Sequence, residues 1–136
     1  MNKLSAILVL ILVIPMLIAS GCNRSRAPQE QWRVGGLYSV QNGREGFGVI
    51  KILALDSDAV HIRIYKQTFS SRPGSVDPNS LTLGRMDDKD GFSIGHVPLS
   101  PETFKSWAPV FLSQQAVSDS ELEGYKMWKD ANGGKF

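Results

Sequence analysis

The pattern nearest to catalytic chemistry is a G-x-S-x-G spacing over residues 91–95, centred on Ser93 and followed directly by His96. A serine in this spacing acts as a nucleophile when a sharp strand-to-helix turn exposes its hydroxyl and other segments supply a histidine and an acid. Here an acidic turn comes before the motif, and Pro98 follows it too closely for a helix. We therefore predict that Ser93 lies in an ordinary strand between turns and is not catalytic.

The sequence does not contain a complete set of ligands for a metal or a cofactor. The acidic run over residues 87–90 hints at a calcium loop, but counting from Asp88 places Leu99 where the twelfth-position glutamate should stand. The chain has two histidines and one cysteine, and their spacing is not that of a zinc site. We predict no cofactor and no metal site.

A group of basic and aromatic residues on two neighbouring strands is the best candidate for binding. Strand alternation places Lys51, His61, Arg63 and Tyr65 on one face of a predicted hairpin, opposite its apolar face. Lys51 is expected to lie opposite Arg63, and like charges in that position are destabilising. We interpret these residues as a shallow contact site for an acidic or carbohydrate-containing envelope partner.

Two other interpretations of this face remain open. The long side chains can spread apart and simply be solvated. Alternatively, the last helix, with Leu122, Tyr125 and Trp128 at helical spacing, needs an apolar surface to cover. If the helix packs over this face, it buries Val49, Leu53 and Tyr65. The basic residues then lie at the rim of the contact.

The first segment of the chain has the features of an export signal. Lys3 precedes an apolar run from Ala6 to Ile18. This run is shorter than the roughly 20 residues that a membrane-spanning helix needs, and Pro15 disfavours a long helix there. A positive residue, a short apolar run and then small residues are typical of a signal peptide. An uncleaved N-terminal anchor helix, or cleavage at another position, remains the alternative.

The end of this segment, Leu-Ile-Ala-Ser-Gly-Cys over residues 17–22, resembles the lipobox of bacterial lipoproteins. Ser20 and Gly21 supply the small residues that this family has before its cysteine, Cys22. Ala19 departs from the pattern, because the family prefers leucine there. The resemblance implies that Cys22 is lipidated and holds the mature chain to a membrane, since two or more acyl chains anchor stably where one does not.

This resemblance also implies a location and a domain organisation. Residues 1–21 would be the removed signal peptide, residues 22–31 a lipidated cysteine with a flexible tether, and residues 32–136 a single small β-rich domain. The domain would face the periplasm or the cell exterior. Asn23 after the cysteine favours the outer membrane in a Gram-negative cell.

Composition narrows the class of protein further. The chain has 136 residues and a net charge of +2, which gives no electrostatic footprint for nucleic acid. Its single cysteine excludes a disulfide within the chain, so an ordinary hydrophobic core must stabilise the domain.

The apolar patterns and turn signals predict a mainly β (α+β) fold. We expect a small antiparallel SH3-like barrel or a bent sheet of about five strands, with one short helix and one C-terminal helix. The likeness to SH3-like barrels rests on strand spacing alone. The strand candidates are residues 37–40, 47–55, 59–66, 81–83, 92–97 and 110–117. Ser100-Pro101 and the pair Ser118/Glu121 are the predicted helix starts.

Matching apolar residues across strands predicts the register of the first two hairpins. In the first, Val40 should lie opposite Phe47 and Tyr38 opposite Val49. In the second, three apolar pairs share one face. They are Ile50 with Ile64, Ile52 with Ile62, and Ala54 with Val60.

Together these features predict a lipid-anchored cell-envelope lipoprotein whose β-rich domain is a non-enzymatic binding module. Its partners would be the membrane, through the lipid anchor, and an envelope protein or glycan. The alternatives are an inhibitor or immunity-type lipoprotein, and a small serine hydrolase that uses Ser93 and His96.

Overall fold

A computed structural model describes residues 32–43, 46–85, 87–89 and 91–136. The expected signal peptide, Cys22 and the tether up to residue 31 lie outside these ranges. Within the ranges, no helix has both the length and the apolar character needed to span a membrane.

Five antiparallel strands form one sheet in the order β4-β3-β2-β1-β5, which confirms the mainly β, α+β prediction. The sheet is open, so the barrel alternative is not the one that forms. The chain runs through neighbouring strands from β1 to β4 and returns to place β5 beside β1. The strands are β1 Gly36–Gln41, β2 Phe47–Leu55, β3 Val60–Phe69, β4 Ile94–Leu99 and β5 Val110–Gln114.

In the described ranges, two α-helices and one 3₁₀ turn, Pro78–Ser80, accompany the sheet. Helix α1, Pro101–Ser106, starts as predicted, with the Ser100 hydroxyl accepting a hydrogen bond from the Thr103 N–H at 3.1 Å. Helix α2, Glu123–Asp130, starts later than predicted. The capping box does form, because Ser118 N–H donates to the Glu121 carboxylate at 2.8 Å and Glu121 N–H to the Ser118 hydroxyl at 3.3 Å. That box closes a turn before the helix.

The short strand predicted over residues 81–83 is wrong. This segment is tied to β3 by one backbone bond, from Lys66 N–H to the Thr82 carbonyl at 3.1 Å, and by the Gln67 side chain. The Gln67 amide accepts from Thr82 N–H at 3.1 Å and donates to the Thr82 hydroxyl at 2.9 Å. A side-chain amide thus replaces a ladder of backbone hydrogen bonds, so no strand develops.

The register of the β1–β2 hairpin differs from the prediction by one residue. Tyr38 lies opposite Ile50 and Val40 opposite Gly48. Both faces of this part of the sheet are buried, with Val49 and Leu37 almost fully enclosed on the face away from Tyr38. Apolar residues therefore occupy both faces, and matching apolar pairs cannot define the register.

The centre of the β2–β3 hairpin has the predicted register, and its turn end does not. Ile52 lies opposite Ile62, as expected, and Ile50 lies opposite Ile64. A shift between Ile52 and Ala54 then places Ala54 opposite His61 instead of Val60. The extra residue in β2 is a bulge, which interrupts the regular pairing.

The hydrophobic core lies between one face of the sheet and α1. Phe104 of α1 is fully buried and meets Trp32 edge-to-face, with ring centroids 4.8 Å apart. The second face of the sheet is covered by the chain from Ala116 through α2, and this cover contains the contacts that concern function. The buried core residues are Tyr38, Val40, Ile50, Ile52, Val60, Ile62, Leu99 and Phe104.

Candidate functional site

The four residues predicted as an open contact site lie together on the second face, but the structure encloses them. Lys51 is 5% exposed and His61 is 0% exposed, while Arg63 and Tyr65 are half-buried. Burial raises the pKa of the Tyr65 hydroxyl, and the negative charge of Glu121 adds to this effect. The expectation of an exposed site is therefore wrong for Lys51 and His61, because the C-terminal segment packs over them.

One carboxylate from this cover contacts both cations. Both Glu121 carboxylate oxygens lie 2.9 Å from Lys51 Nζ, which also donates to the Ala116 carbonyl at 2.6 Å. Arg63 Nη1 lies 3.4 Å from Glu121 Oε1, and Arg63 Nε donates to the Gly95 carbonyl at 3.3 Å. Burial alone would raise the pKa of Glu121, but the hydrogen bonds from Lys51 and from Ser118 N–H outweigh it and lower the pKa. An anion of the same chain thus lies between the opposed like charges of β2 and β3 and reduces their repulsion.

Beside this ion pair, four side chains form a continuous chain of hydrogen bonds. His96 Nε2 lies 3.0 Å from His61 Nδ1, and His61 Nε2 lies 3.1 Å from Asp56 Oδ2. The Tyr125 hydroxyl donates to Asp56 Oδ1 at 3.0 Å. Because a carboxylate only accepts, His61 carries its proton on Nε2. Its Nδ1 is then an acceptor, so His96 Nε2 carries the proton that it donates.

The surroundings of the two imidazoles favour their neutral forms. Burial lowers the pKa of His61, although the hydrogen bond to Asp56 acts in the opposite direction. Burial also lowers the pKa of His96, and the neighbouring His61 lowers it further. The rings of Tyr125 and Trp128 contact His61 edge-on, with centroids 4.6 and 4.5 Å away. Helix α2 is thus attached to the sheet through this histidine.

Ser93 does not have the geometry of a nucleophile in this structure. Its hydroxyl donates to the Gly84 carbonyl at 3.0 Å and accepts from Gly84 N–H at 2.7 Å. The residue is 8% exposed and is followed by strand β4, where a nucleophile elbow would continue into a helix. Its bonds hold together two segments of the loop between β3 and β4.

A pocket of about 510 Å³ opens at one end of the opposite face, where β1, β2 and β3 meet the end of α1. Its walls are mostly apolar, and Phe92 beside it is 68% exposed. Side chains that can form hydrogen bonds are present as well. The apolar lining residues are Val40, Ile50, Ile64, Phe92 and Trp107, and the polar ones include Gln41, Asn42, Tyr65, Thr68 and Ser106. Tyr65, which the sequence placed in the basic contact site, therefore also borders this pocket.

None of the sequence patterns described above predicts this pocket. Its best signal is Gly48, a glycine inside the apolar strand β2, where a missing side chain leaves space against the sheet. A Cβ built at Gly48 would lie 3.9 Å from Val40 Cγ2 and 4.0 Å from Asn42 Cβ, which is ordinary contact. The pocket therefore exists partly because residue 48 has no side chain.

In the part of the chain that the structure describes, no group of three or more histidine, cysteine or acidic side chains could hold a metal ion. His61 and His96 approach each other, but Asp56 binds the opposite nitrogen of His61.

Comparisons with known proteins do not assign the chain to a family. No family model, no curated protein and no solved structure matches it. The pocket and the covered basic face are the two sites from which a function can be inferred.

Proposed function

We propose that this chain is a lipid-anchored protein of the bacterial cell envelope whose β-rich domain is a non-enzymatic binding module. The pocket beside Trp107 is its binding site. The observation that carries the proposal is the combination of a volume of about 510 Å³, apolar walls and a few polar groups. Ligand sites in proteins typically have this size and this composition.

The chemistry of the lining favours an aromatic or branched apolar side chain presented by a partner protein. Phe92 extends the apolar surface beyond the pocket, so a partner can contact the rim as well as fill the cavity. Asn42 and Thr68 can hydrogen-bond to the backbone that carries the inserted side chain. An aromatic anchor in a pocket with polar surroundings is the usual arrangement of a binding hot spot.

The expected lipid anchor supports an envelope partner. A tether over residues 23–31 spans at most about 30 Å when fully extended. The domain would therefore stay close to the membrane surface, and the proteins available to its pocket would be those of the envelope.

The experiment fills the pocket without disturbing the fold. Gly48→Leu adds a side chain where the Cβ meets only ordinary contacts, so the strand is retained and the cavity is occupied. The matched control is Gly74→Leu, because residue 74 is an exposed loop glycine with nothing within 4 Å of a built Cβ. Binding of 8-anilinonaphthalene-1-sulfonate, followed by its fluorescence, reports on the cavity.

The wild type and Gly74→Leu should bind the dye with equal affinity, and Gly48→Leu should lose at least about tenfold, because an apolar ligand and the leucine compete for one space. Crosslinking in intact envelopes then tests the partner. A partner captured by wild type and Gly74→Leu, but lost from Gly48→Leu, is expected. Unchanged dye binding and unchanged crosslinking in Gly48→Leu would show that the pocket is not the site.

A further inference from the structure

The face of the sheet away from the pocket is closed by the chain's own C-terminal segment, here called the cover and defined as residues 116–130. The cover is held by two sets of contacts. Glu121 binds Lys51 and Arg63, and α2 rests on the histidine chain through Tyr125 and Trp128. One set places an anion on paired cations, and the other depends on neutral imidazoles.

We infer that the Lys51–Arg63 pair is a binding site for a carboxylate ligand, that Glu121 occupies it within the chain, and that protonation of the histidine pair opens it. This inference does not rest on the pocket, which lies on the other face of the sheet. It assigns the predicted basic site a closed state and an open state.

The geometry of Glu121 shows which ligand the paired cations fit. Its two oxygens are equidistant from Lys51 Nζ, at 2.9 Å, and one of them also reaches Arg63. Lys51 and Arg63 are directly opposite across β2 and β3, so they repel each other unless an anion lies between them. When Glu121 leaves, the two cations require another carboxylate or full solvation.

The histidine chain makes the closed state sensitive to protons. A first proton can be accommodated if His96 shifts its own proton to Nδ1, so that Nε2 accepts from His61. A second proton leaves N–H groups on both nitrogens that now lie 3.0 Å apart, and neither can accept. The contact between β3 and β4 side chains must then break, directly beneath α2.

The other charged groups around the pair do not cancel this effect. Asp56 accepts from His61 and favours its protonated form, and Asp58 acts in the same direction from a greater distance. Asp58 is itself paired with Lys135. Lys129 of α2 opposes protonation, and Tyr125 donates to Asp56. Burial remains the largest influence and lowers the pKa of both histidines.

Hydrogen–deuterium exchange of the full-length protein tests the opening. A histidine free in solution has a pKa near 6.5. When the pH falls from about 7.5 to about 5.5, each proton that binds only to the open state raises the equilibrium constant for opening about tenfold. Protection of residues 122–130, corrected for intrinsic exchange rates, should fall by about tenfold if the closed state excludes one proton. It should fall by about a hundredfold if the closed state excludes both. Protection of β2 should change much less.

Histidine variants show whether the imidazoles cause the change. The chain has only two histidines, so the double variant His61→Gln/His96→Gln removes every imidazole and should lose the pH dependence. If the double variant fails to fold, the single variant His96→Gln tests the role of the imidazoles. Its glutamine can still donate a hydrogen bond to His61, but it does not titrate. His96→Gln should reduce the pH effect at least threefold.

Binding of a short polyglutamate peptide tests the uncovered site. The wild type should bind it at about pH 5.5 at least tenfold more tightly than at about pH 7.5. A Cβ at Gly124 would lie 2.6 Å from His96 Cβ, so Gly124→Val should hold α2 off the sheet and allow binding at both pH values. Lys51→Gln should lose acidic-pH binding. Lys105→Gln, the loss of one exposed charge on α1, should keep it.

Three results would each overturn the inference. Protection of residues 122–130 that changes less than twofold with pH would exclude the opening. A pH effect that persists in the folded double variant would exclude the histidines. Equal peptide binding by Lys51→Gln and Lys105→Gln at acidic pH would show that general positive charge, and not the Lys51–Arg63 pair, holds the peptide.

Discussion

The pairing of Ile52 with Ile62 leads to the sharpest prediction on stability. Both side chains are fully buried, and they lie opposite each other on the neighbouring strands β2 and β3. Ile62 also lies opposite Val97 of β4. Because β3 lies between β2 and β4, the Ile62 side chain has core residues of both neighbouring strands beside it. Ile62→Ala should therefore leave a cavity that neighbouring strands cannot easily collapse to fill.

The size of the loss can be worked out from two contributions. Ile62→Ala removes three carbon groups, each contributing about 0.8 kcal/mol when buried, or about 2.4 kcal/mol together. A remaining void of roughly 60 Å³ costs about another 1.5 kcal/mol at roughly 24 cal/mol per Å³. We expect the free energy of unfolding to fall by about 4 kcal/mol. Ile52→Val, which removes one methyl group, should cost about 0.5–1.5 kcal/mol.

Urea unfolding followed by circular dichroism measures both changes, and an unchanged dependence on urea concentration shows that the same surface unfolds. Val110→Ala on the edge strand β5 is the matched control, because Val110 is 43% exposed and should cost less than about 1 kcal/mol. A loss below about 1 kcal/mol for Ile62→Ala would refute the central position of this residue and the register around it.

Three other predictions concern the anchor, a turn and acid stability. Cys22→Ser should abolish labelling with an alkyne fatty acid and release the protein from membranes; persistent labelling would contradict lipidation at this residue. Gly35→Ala should destabilise by more than about 1 kcal/mol, because Gly35 has φ +81° and a Cβ would collide with the Gln115 carbonyl oxygen, whereas Gly74→Ala should be neutral within about 0.5 kcal/mol in urea unfolding. Burial lowers the pKa of His61 and His96, so the unfolded chain binds more protons. The contribution of the two histidines to the free energy of unfolding should be complete above about pH 6.5 and lost as the pH falls through their pKa values in the folded protein. Urea midpoints measured at a series of pH values would show this loss.

Local patterns predicted the parts of the fold that depend on neighbouring residues. The alternating isoleucines of β2 and β3 defined both the strands and the pairing of Ile52 with Ile62. Ser100 followed by Pro101 predicted the start of α1, because a capping hydroxyl and a proline at the first position satisfy the same helix end. Such signals need no knowledge of the rest of the chain.

The features that sequence reasoning missed depend on contacts between distant segments. The register of β1 against β2 could not be obtained from apolar matching, because Leu37 and Tyr38 are both buried on opposite faces. The pocket depends on where α1 ends relative to Gly48 and Phe92, which no local pattern encodes. The mutual bonding of His61 and His96 joins residues 35 positions apart on neighbouring strands.

The basic face illustrates how a covered sheet can look like an exposed one in the sequence. In β2, Lys51 stands between Val49 and Leu53 on one face, and all three are nearly fully buried. A solvated face would leave the two apolar residues in water, and a purely apolar cover would leave the lysine as an unpaired buried charge, which costs several kcal/mol. Only a segment that carries an anion among apolar residues can pair with Lys51 and also bury Val49 and Leu53.

The C-terminal segment has that composition, with Glu121 next to Leu122 and followed by the aromatic residues of α2. A lysine between two apolar residues on one face of a central strand therefore predicts an acidic, apolar partner segment. In this chain the partner segment lies 70 positions away in the sequence. Its carboxylate is held by the same cations that would hold an external ligand, so the cover and any such ligand must compete. The balance between them is then determined by how firmly α2 rests on the neutral histidine pair.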